Sequence, residues 1–181
     1  EDVAQAVDGA EIIFVVLPAF AHAYVAQELA GCLVDGQTVV VCPGATGGAL
    51  EFRAIWDRAG CRSKVRLCET NSLFYAARAQ DAVATISGVK DELSLAALPA
   101  QDTQAIIDDL SDVYPQLIPA ANVLETSLNN MNTVVHPLPV LLNAGSIERG
   151  EKFRHYFDGI TPAVGEVVEQ MDRERVAVGR A

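Results

Sequence analysis

An uninterrupted apolar run, residues 12–17, closes on Pro18 and sets the pattern of the first third of the chain. Such a run predicts a strand buried on both faces, as in a parallel sheet. Residues 20–31 then alternate as a helix ending at Gly31, and an Asp35-Gly36 turn leads to a second buried strand, 38–42. Pro43-Gly44 ends that strand, and a loop from Gly44 to Gly48 opens a helix near 49–59, followed by a third strand at 65–69. This strand–helix–strand–helix–strand order predicts an α/β sheet with right-handed crossovers.

The pattern changes after Glu69. Residues 70–80 lack a period and are expected to be irregular, and 83–89 and 93–99 are expected to be two strands forming an antiparallel pair. Residues 102–112 predict a helix with Asp102 as N-cap. Tyr114-Pro115 and Pro119 mark a loop, and a helical period then runs for roughly 25 residues from Asn122. Thr161-Pro162 opens a last helix to the end of the chain, threonine suiting the N-cap and proline the first helical position. An α/β part, 1–115, is thus expected to give way to a helical part, 116–181.

Composition narrows the functions. Half of the 181 residues are hydrophobic and 20% are charged, enough apolar surface for a packed core. The net charge of −11 comes without any basic cluster, which argues against nucleic acid or an anionic membrane as partner. Pro18 and His22 interrupt the first apolar run, so no membrane span is expected. The acidic opening EDVAQAVDGAE lacks the order of a signal peptide. The four cysteines (32, 42, 61, 68) show no CxxC spacing and the histidines (22, 136, 155) are dispersed, so no metal site is expected. Reduced thiols fit a cytoplasmic protein.

The candidate chemistry lies in NTVVHPLPVLLNAGSIE, residues 132–148. On a helix of about 100° per residue, Glu125, Asn132, His136 and Asn143 fall within about 60° of Asn129, forming one polar stripe on an apolar surface. Pro137 and Pro139 remove the helical partners of the Thr133 and Val135 carbonyls and predict a kink after His136. Histidine titrates near neutrality and suits general acid–base work, and neighbouring asparagines can orient a carboxylate or amide without adding charge. The alternative is a buried helix whose polar groups pair with nearby backbone. His22 either contacts a ligand at its helix start or is structural. Glu69 and Arg78 form either a boundary ion pair or a substrate contact. His155, beside Lys152 and Arg154, is expected to be a solvated surface group, and Phe52, Ile55 and Trp56 a core-facing helix side.

That motif, with ETNSLFYAAR (Glu69 to Arg78) and VVLPAFAH (Val15 to His22), resembles the opine dehydrogenases, the octopine and nopaline dehydrogenase group. The resemblance implies the second half of a Rossmann-like NAD(P)-binding sheet, followed by the start of an all-helical domain similar to that of phosphogluconate dehydrogenases. It also implies reductive condensation of an amino acid with a 2-oxo acid such as pyruvate, using NADH or NADPH. His136 would then be the catalytic proton donor and acceptor. Glu69, Thr70, Arg78, Asn129 and Asn132 would lie at the substrate. Pro18 and His22 would lie near the dinucleotide, with Pro43 and Gly44 in the next cofactor-side loop. A homodimer is left as an option.

Phe74 stands where the family often has proline, and Ala77 where some members have cysteine. No GxGxxG turn occurs, and Gly44, Gly47 and Gly48 read as a strand-to-helix turn. By the resemblance the chain begins at the fourth strand of such a domain, and the aspartate that orients the histidine is expected beyond Ala181. Two alternatives stay open. One is a hydroxy-acid reductase of the same two-domain plan, which would use a lysine that the helix around His136 lacks. The other is a non-catalytic binding or oligomerisation module.

Overall fold

The computed structural model describes residues 2–181. The chain divides into two compact units, the first ending at Asn129 and the second running from Asn130 to Ala181. The first contains α1 (Val3–Val7), β1 (Ile12–Val15), α2 (His22–Ala30), β2 (Thr38–Val41), α3 (Gly48–Ala59) and β3 (Arg66–Thr70). It continues through β4 (Tyr75–Gln80), β5 (Val83–Val89), β6 (Leu93–Leu98), α4 (Thr103–Leu110), β7 (Leu117–Pro119) and α5 (Val123–Leu128).

A five-stranded sheet in the order β1-β2-β3-β6-β7 organises this unit. β1, β2 and β3 run parallel, β6 is antiparallel to β3, and β7 is parallel to β6. Successive side chains of a strand point to opposite faces, and β2 is buried at every position because both faces are covered. Val39 and Val41 meet Ala26, Leu29, Phe52 and Trp56, while Val40 joins Cys68, Leu95, Ile106 and Leu110 on the other face. α3 buries Ala49, Phe52, Ile55 and Trp56, the three-and-four spacing of one helix side, and stops at Gly60 in the left-handed region (φ 73°).

Several sequence expectations change here. β1 is only half-buried over Ile12 to Phe14, because among the described residues its one sheet neighbour is β2. The segment expected to be irregular contains β4, and β5 pairs with β4 rather than with β6. The β4–β5 hairpin is almost wholly exposed, so it carries no burial period to read. β6, with its buried leucines and alanines, instead takes an interior place in the main sheet. β7 forms where prolines predicted a loop; Pro119 is tolerated on an edge strand, whose outer N–H positions need no partner. The division at Asn129/Asn130, not 115/116, follows from β7 joining the sheet and α5 burying Val123, Thr126 and Ser127 within the first unit.

The second unit is helical: α6 (Asn132–Val135), α7 (Pro137–Leu142), α8 (Ala144–Glu148) and α9 (Pro162–Arg180). Thr161 caps α9, its hydroxyl accepting from Val164 N–H at 3.4 Å. The expected single helix with one polar stripe is therefore absent. It breaks after α5, where Asn130 Oδ1 accepts the Asn132 N–H at 3.0 Å, a side-chain turn that competes with the helical ladder. It breaks again at His136, as Pro137 and Pro139 predict, and at Asn143. No helix among the described residues is long and apolar enough to cross a membrane.

Thr38 at the start of β2 has a buried hydroxyl without a hydrogen-bond partner. A buried unmet hydroxyl costs about 1–3 kcal/mol. Thr38→Val should therefore raise the unfolding free energy by about 1 kcal/mol in urea titrations, and a loss of that size would show that the hydroxyl is satisfied in solution.

Candidate active site

In the first unit Pro18, His22, Pro43, Gly44, Glu69 and Thr70 lie at the carboxyl ends of the parallel strands. Glu69, near the end of β3, is fully buried at 0% exposure. Its Oε2 accepts the Ala49 N–H in the first turn of α3 at 2.8 Å. Its Oε1 accepts the Thr126 hydroxyl at 2.6 Å and the Ser127 hydroxyl at 2.8 Å, both on α5. Ser127 Oγ in turn accepts the Gly47 N–H at 2.9 Å. Gly44 must be glycine, because a Cβ there would fall inside the Glu69 carboxyl group. Its N–H donates to Thr70 O at 2.9 Å.

Burial pushes the Glu69 carboxyl above the usual carboxylate range, against the pull of its bonds to Thr126, Ala49 and Ser127 and of the neighbouring His22. A carboxyl raised in the folded state contributes most stability below its unfolded value, near 4.5, and loses that contribution as pH rises through its folded value. The stability difference between wild type and Glu69→Gln should therefore move against the wild type as pH rises above about 4.5. A difference flat between about pH 4 and 8 would contradict the raised value.

The other candidates of this unit fall into two groups. Thr70 is buried and its hydroxyl donates to Ser72 O at 2.8 Å, so neither it nor Glu69 has a free polar atom facing solvent. His22 is 1% exposed, its Nε2 lies 3.2 Å from Leu17 O, and its ring meets Phe52 edge-on. A carbonyl only accepts, so Nε2 carries the proton. Gly44 is buried and Pro43 half-buried, whereas Pro18 is exposed at the mouth of β1 beside Val16, Leu17 and Phe20. Arg78 is exposed on β4 and bonds its neighbour's carbonyl, Ala77 O, at 2.9 Å. The Glu69–Arg78 ion pair does not form. Asn129 is exposed at the end of α5, its N–H donating to Glu125 O at 2.9 Å.

In the second unit His136 sits at the joint between α6 and α7, half-buried, its Nε2 2.7 Å from the Tyr156 hydroxyl. Asn132 is exposed at the start of α6. His155 is not a solvated surface group. Its Nε2 lies 3.3 Å from Val135 O, the carbonyl whose helical partner Pro139 removes. The imidazole thus meets a need that the proline creates. Asn143 ties the far end of α7 to the turn before α9, donating to Pro139 O at 2.7 Å and Gly159 O at 2.8 Å. The Arg154–Asp158 turn presents His155 and Tyr156. Asp158 accepts the Arg154 backbone N–H at 2.8 Å, and the Arg154 guanidinium holds its carboxyl down at about 2.

Sequence reasoning missed Thr126, Ser127, Tyr156 and the engagement of His155. Thr126-Ser127 did carry a signal, two hydroxyls inside an apolar helical period. Nothing local points to Tyr156, which is 20 residues from His136.

Comparison with known proteins agrees with these motifs. Residues 119–181 match the family described as NAD/NADP octopine/nopaline dehydrogenase, alpha-helical domain. The chain is 41% identical to the opine dehydrogenase of Arthrobacter sp. (strain 1C) over 181 residues, 99% of this chain and 50% of that protein. In fold it is similar to yersinopine dehydrogenase without ligand (TM-score 0.75, 20% identity, 90% of this chain and 42% of that one). It is also similar to octopine dehydrogenase with NADH and L-arginine (TM-score 0.64, 22% identity, 91% and 42%). The chain spans about half the length of the curated relatives it matches. Its helical segment matches the helical domain of the octopine/nopaline dehydrogenase family, the whole chain is similar in sequence to an opine dehydrogenase, and the solved structures share its mixed α/β sheet followed by helices.

Proposed function

We propose that this protein is an NAD(P)-dependent opine dehydrogenase, joining the amino group of an amino acid to a 2-oxo acid such as pyruvate by reductive condensation. The observation that carries the reading is His136, held at a proline-made helix joint inside the matched segment with Nε2 on a phenol. An imidazole so placed can give a proton to the oxo-acid oxygen and take one from the amine. Tyr156 restrains the ring. Asn132, one turn earlier on the exposed side of α6, orients a substrate carboxylate. On the first unit, exposed Arg78 and Asn129 offer a guanidinium and an amide to the same class of substrate.

The dinucleotide would supply and accept the hydride. The residues present fit one part of its site, the carboxyl ends of parallel strands, where Pro18 and the apolar edge beside it are exposed. They do not supply a second phosphate cradle. The N–H of Ala49 in the first turn of α3 already faces the Glu69 carboxylate, so Pro43 and Gly44 act as a turn that borders the site. His22 braces the same edge from beneath through Leu17 O.

The experiment is NADH or NADPH oxidation with pyruvate and a panel of amino acids. Oxidation that requires both substrates supports the reading. Oxidation with a 2-oxo acid alone would point to a hydroxy-acid reductase instead, and none with any pair would end the proposal.

A further inference from the structure

We propose that Glu69 is a positioning residue whose carboxylate locks the loop before α3 to α5, the last element before the segment that carries His136. Both carboxylate oxygens are spent inside the first unit, on Ala49 N–H and on the Thr126 and Ser127 hydroxyls. The loop and the helix that it opens are gripped together, at Gly47 through Ser127 and at Ala49, in the first turn of α3, directly. Gly44 has given up its side chain to let the carboxyl in. A group built to meet a substrate cation keeps an oxygen toward solvent; this one has 0% exposure. Thr126 and Ser127 lie on the last turn of α5, so the lock fixes the end of the first unit, with His136 nine residues beyond Ser127 in the chain. The loop it holds follows β2 at the carboxyl ends of the parallel strands. One carboxylate therefore holds both the strand-end loop and the last helix of the first unit.

The kinetic half of the test rests on the proposed dehydrogenase activity; the exchange half does not. Amide hydrogen exchange at Gly47 and Ala49, and steady-state kinetics, are measured on wild type, Glu69→Gln, Ser127→Ala and the double variant, at a temperature where each is folded by circular dichroism. Glutamine cannot accept all three hydrogen bonds, and Ser127→Ala cuts the lock from the other side with less risk to folding. Both single variants should speed exchange at Gly47 or Ala49 by about tenfold or more, with the double variant no worse than Glu69→Gln alone. Turnover should fall about tenfold while the KM values for amino acid and oxo acid stay within about twofold.

Unchanged exchange in both single variants overturns the lock. Turnover that survives faster exchange reduces Glu69 to a structural group and overturns the positioning role. A rise in the amino-acid KM alone, with Ser127→Ala silent, makes Glu69 a substrate contact instead. A wild type that oxidises no NADH with any substrate pair ends the functional reading, and the exchange data then decide the lock by themselves.

Discussion

Replacing His136 by alanine should lower turnover by about 10²–10⁴-fold, the usual worth of a general acid–base group, with cofactor affinity nearly unchanged. The size follows from position. The imidazole is half-buried at the α6–α7 joint, and the prolines that follow leave its ring fixed between a backbone break and the Tyr156 hydroxyl 2.7 Å away. Alanine removes the proton-carrying nitrogens but leaves the break itself, which Pro137 and Pro139 cause. The helical unit should therefore keep its circular dichroism and melting behaviour. Stopped-flow measurement of the hydride step, with NADH binding followed by fluorescence, separates the two effects. Wild-type turnover in the variant would remove His136 from the chemistry, whatever its neighbours do.

The largest stability loss is expected from Trp56→Ala, at about 3–5 kcal/mol. Trp56 is 1% exposed on the inner side of α3, edge-on to Phe52, and its indole N–H donates to Ala26 O at 3.0 Å. Alanine would leave a cavity between α2, α3 and the sheet and would orphan the Ala26 carbonyl. Domains are typically stable by only about 5–15 kcal/mol, so the variant should unfold at much lower urea and accumulate poorly. A loss below about 1 kcal/mol would mean that α2 and α3 collapse onto the gap without strain.

The parallel core was legible in the chain because its signals are local. The apolar runs at β1 and β2 read as strands, although β1 is only half-buried, and α3 reads as buried positions three and four apart. The break after His136 was equally legible, since proline removes backbone donors wherever it stands. The His-Pro motif pointed to the family before any contact was known. By contrast, β4 and β5 were misread or mispaired because an exposed hairpin has no buried side to impose a period. A polar stripe around Asn129 needs an uninterrupted helix, and the Asn130 side chain, accepting the backbone N–H of Asn132, is enough to end that helix.

The candidate site divides along the same line. His136 stood out because a titratable ring in an apolar run is unusual in itself. Glu69 also stood out, but its surroundings did not, since Thr126 and Ser127 lie 57 and 58 residues away and Ala49 lies 20. Only the sheet, by placing β3 beside the loop after β2 and under α5, turned an acidic residue that reads as either a substrate contact or an ion-pair partner into the centre of a buried hydrogen-bond cluster. Tyr156 and His155 joined His136 for a similar reason: the turn held by Arg154 and Asp158 returns to the proline break and fills the hydrogen bond that Pro139 leaves open. Sequence determined the apolar run of β2, the helix break at the prolines after His136 and the family that the motifs resemble, because those depend on near neighbours and residue type. Tertiary structure alone decided what each polar group touches, because a buried donor or acceptor takes whichever partner the fold brings within about 3 Å, however distant in the chain.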